Sequence, residues 1–122
     1  MGTCFILSIR IISQLVAVLS DSVQSEETQV SGAEGDAVTL RCSYTTSYTG
    51  SVYLHWYRQY PNQGLQYILW RGAKDARDLS DTANFAQQRF SSQVDDSATA
   101  LSITALEVAD GAVYYCALGL AP

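Results

Sequence analysis

Short runs of alternating polar and apolar residues recur along this chain, and no segment sustains the 3.6-residue period of an amphipathic helix. In AVTLRCSY, Val38, Leu40 and Cys42 alternate with Thr39 and Arg41, the period of a half-buried strand. In YLHWYRQY, Leu54, Trp56 and Arg58 fall on one face and His55, Tyr57 and Gln59 on the other. PNQG (61–64) is a turn, and LQYILW opens a further strand. Leu101 and Ile103 alternate with Ser102 and Thr104, and the last run sets Ala112, Tyr114 and Cys116 inward with Val113 and Tyr115 outward. Short strands at this spacing, separated by polar turns, specify an all-β sandwich or barrel.

The chain has 122 residues, 48% of them hydrophobic and 16% charged, which suits one globular domain. Its formal net charge of −5 and the lack of a basic stripe argue against a nucleic-acid partner. Residues 1–20, MGTCFILSIRIISQLVAVLS, read as a secretory signal peptide. The run is apolar and N-terminal, with Val18 and Ser20 suited to positions −3 and −1 of a cleavage site, although Arg10 and Gln14 interrupt it. A membrane span fits less well, because spanning takes roughly 20 apolar residues and a central Arg costs about 2.5–3.5 kcal/mol. No other long apolar run is present, so no membrane anchor is expected.

Removal of a leader takes Cys4 with it and leaves Cys42 and Cys116 as the remaining cysteines. Joined, they would close a loop of roughly 75 residues, worth about 4–5 kcal/mol in the chain-entropy model. Two buried free thiols are the alternative. A zinc site is the poorest reading, since His55 is the single histidine.

Cys42, Trp56 fourteen positions later, and Cys116 with Tyr114 two positions before it stand in the order of a Cys…Trp…Tyr-x-Cys framework. With that framework the chain resembles an immunoglobulin variable-type domain. The resemblance implies a sandwich of two antiparallel sheets bridged by a Cys42–Cys116 disulfide, with Trp56 packed on the bridge. It also implies a tyrosine corner at Tyr114, and an ion pair between Arg89 and Asp110 that closes one end. As an exposed pair, the latter would contribute about 0–1 kcal/mol. Phe90, beside Arg89, should point into the core.

WYRQYPNQGLQYIL, DSVQSEETQVSGAEGDAVTLRC and ALSITALEVADGAVYYCAL resemble T-cell receptor α or δ variable segments more than antibody chains, over about residues 21–118. Such receptor chains continue through a joining segment with a Phe-Gly-x-Gly motif, whereas this sequence ends CALGLAP. The expectation is therefore a germline variable domain over 21–122 with strand G missing and an open sheet edge beside its last strand. Joining, constant and membrane regions would be absent.

Binding loops gather at one end of such a sandwich. The first, Thr46 to Tyr53, is rich in Tyr, Ser and Gly and offers Tyr48 and Tyr53 as contacts. The second, Arg71 to Ala76, offers Arg71 and Lys74. The third begins at Ala117. An outward patch of Tyr57, Gln59, Leu65 and Tyr115 suits pairing with another domain. The resemblance implies a receptor β or γ variable domain there, with Gln59 meeting a matching glutamine. It further implies a ligand of peptide on a major histocompatibility molecule or a related presenting molecule. CD3 signalling subunits would be reached only through the missing constant and membrane regions. An antibody light chain or an innate surface receptor is the alternative. Asp95 and Asp96 are adjacent in sequence, and with no phosphate loop, metal spacing or CxxC motif neither enzymatic activity nor a cofactor is expected.

Overall fold

The computed structural model describes residues 4–11, as strand and pairing, and residues 21–119. Its strands are β1 (Cys4–Ile11), β2 (Ser22–Ser25), β3 (Gln29–Ala33), β4 (Val38–Thr45), β5 (Ser51–Gln59), β6 (Gln66–Lys74), β7 (Ser80–Thr82), β8 (Phe90–Val94), β9 (Ala98–Ile103) and β10 (Val113–Gly119). Two single 3₁₀ turns, Asn84–Ala86 and Val108–Asp110, are the helical pieces among the described residues. One sheet has the order β3-β1-β10-β5-β6-β7 and the other β2-β4-β9-β8. Every pairing is antiparallel except that of β1 with β10.

Alternation builds the core. Leu40 and Cys42 of β4, Leu54 and Trp56 of β5, Leu101 and Ile103 of β9, and Tyr114 and Cys116 of β10 are all fully buried, each set facing the opposite sheet. Phe90 joins them. A Cys42–Cys116 disulfide spans the sheets, with a Cα separation of 6.7 Å and 74 positions between its ends. Trp56 lies directly across from Cys116 in the β5–β10 ladder, and Thr99 directly across from Cys42 in the β4–β9 ladder. The Trp56 Nε1–H donates to Thr99 Oγ1 at 3.1 Å, which satisfies the one polar atom of the indole. One covalent bond and one hydrogen bond thus tie the two sheets at the same level.

The expected open edge beside the last strand is occupied. Residues 4–11 run along β10 in parallel, from Ser8↔Val113 to Ile11↔Cys116, and along β3 in antiparallel, from Cys4↔Ala33 to Ser8↔Gln29. A bare edge is a row of unmet N–H and C=O groups that any extended apolar segment can satisfy. CFILSIRI, rich in Ile, has the propensity to do so. Val18 and Ser20, the expected cleavage residues, lie outside the described residues.

The end opposite the binding loops also differs from expectation. Arg89 Nη1 and Nη2 donate to Asp110 Oδ2 and Oδ1 at 2.8 and 2.9 Å, but the Asp110 side chain is only 1% exposed, so this is no surface pair. Arg58 Nη1 stands 3.7 Å from Asp110 Oδ1, and the Glu107 N–H donates to Oδ2 at 2.9 Å. The Arg58 guanidinium is itself buried under the rings of Phe85, Tyr60 and Phe90, 4.4, 5.1 and 5.7 Å from their centroids. Tyr114 Oη donates to the Asp110 carbonyl at 2.6 Å, which is the tyrosine corner. Burial pushes the Asp110 carboxyl up. The Arg89 hydrogen bonds, the Glu107 amide and the two guanidinium charges outweigh that and hold it below the usual aspartate value.

Candidate recognition surface

The first loop, 46–50, joins β4 to β5 at one end of the sandwich. Asp21 Oδ1 accepts from the Ser47 N–H at 3.0 Å, and Thr46 Oγ1 from the Tyr48 N–H at 3.0 Å, the short side chain-to-backbone bonds that shape such turns. Tyr48 is 45% exposed. A Cβ at Gly50 would sit 2.9 Å from the Tyr48 ring, so glycine there lets the ring lie across the loop. Tyr53 differs from expectation. It belongs to β5, is buried, and meets the Trp70 ring edge-on with centroids 5.3 Å apart.

The second loop is shorter than the sequence suggests because β6 continues to Lys74. Arg71 therefore lies on a strand. Its Nη1 donates to the Trp70 and Asp81 carbonyls, and its Nη2 to Thr82 Oγ1, all at 2.9 Å, which fastens β6 to β7. Burial lowers the Arg71 guanidinium from its ordinary value, opposed by the nearby Tyr67 and Asp81. Lys74 starts the turn with φ of 55°, in the left-handed region that disfavours residues other than glycine. Gly72 is required where it stands, since a Cβ there would lie 1.9 Å from the Ala76 carbonyl oxygen. The third loop starts at the end of β10, and residues 120–122 lie outside the described residues.

A second surface covers the outer side of the six-stranded sheet. Tyr115 is paired across from Tyr57. The Tyr115 hydroxyl donates to Gln59 Oε1 at 3.0 Å, and Gln59 Nε2 donates to the Gln63 carbonyl at 2.7 Å. That leaves Gln59 one amide hydrogen for a partner. Leu65 is 50% exposed. The structure therefore gathers Tyr57, Gln59 and Tyr115 on one patch.

Three further aromatic residues extend this patch. Tyr57 meets Tyr67 edge-on at 6.1 Å, His55 stacks on Tyr57 at 6.2 Å, and His55 lies 6.5 Å from Trp70. Alternation alone misses Tyr67 and Trp70. The β5–β6 register slips between Trp56 and Tyr57, so Ile68 and Leu69 are both buried and Tyr67 and Trp70, three apart, share the outer face. That three-residue spacing of aromatics around two aliphatics was the available signal for a bulge. Burial, then the hydrogen bond to Asp81 Oδ2, raise the Tyr67 hydroxyl well above its ordinary value, so it stays a donor.

A profile of the immunoglobulin V-set domain matches residues 24–122. The chain belongs to the immunoglobulin V-set family. Within that family it is similar to T cell receptor alpha variable 3 of Homo sapiens, 33% identical over 121 residues, 97% of this chain and 98% of that relative. It is also similar to T-cell receptor alpha chain V region RL-5 of Oryctolagus cuniculus, 37% identical over 99 residues, 80% of this chain and 67% of the relative. T-cell receptor alpha chain V region PHDS58 of Mus musculus is 35% identical over 99 residues, 81% of this chain and 72% of the relative. V-set domains of this kind recognise antigen and are not enzymes, and this chain is a variable domain of the T cell receptor α type. Among the described residues no helix is long and apolar enough to cross a membrane, and no three His, Cys, Asp or Glu residues gather as metal ligands.

Proposed function

We propose that this variable domain works as half of an extracellular receptor head, pairing through the outer face of β6, β5 and β10 with the variable domain of a β or γ chain. The loop end then offers Tyr48 and Lys74 to a major histocompatibility or related molecule that presents a peptide, lipid or metabolite, and the third loop meets what is presented. Residues 1–20 serve as the secretory leader in this reading, and membrane attachment and CD3 association belong to regions beyond the variable domain.

The observation that carries the pairing is the patch of partly buried aromatics around Tyr57 and Tyr115, and Leu65, 50% exposed just before β6, adds apolar surface. Such a surface is costly in water and suits a domain interface, whose centres are enriched in Tyr and Trp. Arg71 and Tyr53 support the loops from beneath, since hydrogen bonds and burial occupy them. Tyr48 is the side chain free to bury area against a ligand.

The experiment is co-refolding with a T cell receptor β variable domain, followed by sedimentation. A Leu65→Asp, Tyr115→Asp double variant should lose the heterodimer while keeping a native circular dichroism spectrum. Retention of the heterodimer by the double variant would place the interface elsewhere.

A further inference from the structure

Among the described residues β3 has one strand partner, the N-terminal segment Cys4–Ile11 that forms β1. Because β1 pairs with β10 on its other side, this segment alone ties β3 into the six-stranded sheet. The two ladders are staggered along it. Residues 4–8 meet Ala33 to Gln29 on one side, residues 8–11 meet Val113 to Cys116 on the other, and Ser8 is shared by both.

Both walls of this slot are fixed by contacts that β1 does not make. The Cys42–Cys116 disulfide and a ladder with β5 running from Val113 to Gly119 hold β10. On the other wall, Val30 packs against the core, and a Cβ at Gly32 would lie 2.8 Å from Leu106 Cδ1 and 3.0 Å from Val38 Cγ1, so β3 is seated closely on the sandwich. Just beyond β3, the Gly35 N–H donates to the Leu106 carbonyl and the Leu106 N–H to the Asp36 carbonyl, both at 2.8 Å. The slot is thus preformed, one strand wide, and lined on both sides by backbone groups that need partners. The direction of β1 limits how firmly it sits there. It runs parallel to β10 over a short register, and parallel pairing is slightly weaker per residue than antiparallel pairing.

We propose that residues 4–11 act as a tethered cover strand, which keeps the β3–β10 slot from pairing with a second copy of this chain. The segment lies within residues 1–20, so the cover lasts for as long as they stay attached, and their loss opens the slot. This role is independent of the partner assigned to the outer face of β6, β5 and β10.

The test uses the full chain, refolded with its native disulfide, in a Cys4→Ser background so that no other thiol competes. Ser8→Cys with Val113→Cys puts two thiols at paired positions, whose Cα separation of about 4.8 Å in a ladder is within disulfide reach. Oxidation should give a bridge inside single molecules, located by peptide mapping. Ser8→Cys with Ala117→Cys, about 13 Å further along β10 at roughly 3.3 Å per residue, should stay unlinked. An absent 8–113 bridge, equal bridging at 8–117, or a bridge found only between two molecules would overturn the proposal. The second variant is Ser8→Pro with Ile9→Pro. Successive N–H groups of a strand point to opposite sides, so one of the two prolines removes a donor facing β10. Hydrogen exchange of the amides at 113–116 that face β1 should accelerate at least tenfold. The variant should also sediment as dimers or larger species at concentrations where the native chain is monomeric. Unchanged exchange would overturn the pairing, and unchanged sedimentation would overturn its role as a cover.

Discussion

Replacing Asp110 by Asn tests how the closed end of the sandwich is held. The substitution keeps the size of the side chain and removes its charge. In the native protein the carboxylate accepts two hydrogen bonds from Arg89 and one from the Glu107 amide, and lies 3.7 Å from Arg58, with 1% of its side chain exposed. Arg58 has a side chain only 10% exposed, so the asparagine variant leaves a buried guanidinium without its counter-charge. Cation–π contacts with Phe85 and Tyr60 remain, and Gln66 Oε1 still accepts from Arg58 Nε at 2.7 Å, but neither supplies a negative charge. Breaking a buried ion pair by removing one partner costs about 3–5 kcal/mol, against about 0–1 for an exposed pair.

At a urea slope near 1.5 kcal/mol/M, that loss lowers the unfolding midpoint by about 2–3 M, measured by tryptophan fluorescence at pH 7. The same group predicts a pH dependence. Its folded pKa is depressed, so the stability it contributes is fully present above the unfolded aspartate value of about 3.9 and is lost as pH falls through the folded value. The difference between native chain and Asp110→Asn variant should therefore shrink below about pH 4. A loss under 1 kcal/mol at pH 7, or a difference independent of pH, would refute the reasoning and return the pair to the surface class.

Thr99→Val leaves the Trp56 indole N–H buried without an acceptor, which costs about 1–3 kcal/mol; equilibrium unfolding should show this while the disulfide stays intact. Gly72→Ala drives a methyl against the Ala76 carbonyl at 1.9 Å and must reshape the second loop. A loss of about 1–3 kcal/mol or more is expected, with displaced amide resonances at 72–77, and an unchanged spectrum would show that the close approach is relieved without cost.

Much of the sandwich is legible in the sequence because a strand's side chains alternate by geometry. Leu40, Cys42, Leu54, Trp56, Tyr114 and Cys116 declare the inner face, and all are fully buried. The Tyr57–Tyr115 face was readable for the same reason, whereas the loop carrying Tyr48 was marked by its Tyr, Ser and Gly content. Alternation fails where the register does. The slip opposite Trp56 and Tyr57 buries two neighbours on β6 and turns Tyr67 and Trp70 outward, and a strict two-residue count misses it although the three-residue aromatic spacing on β6 marks it. Local patterns also carry no depth. They mark Arg89 and Asp110 as opposite charges, but only the packing of Phe85, Phe90 and Tyr60 over Arg58 makes the site a buried cluster of two arginines about one carboxylate. Likewise only the fold sets Lys74 across a cleft from Asp96, 22 positions later in the sequence. The sequence by itself determined which residues turn inward on most strands, because that is a property of the backbone. The tertiary structure decided which charges are buried, which edge is filled and which loops face each other, because those depend on distances between segments that one-dimensional spacing does not encode.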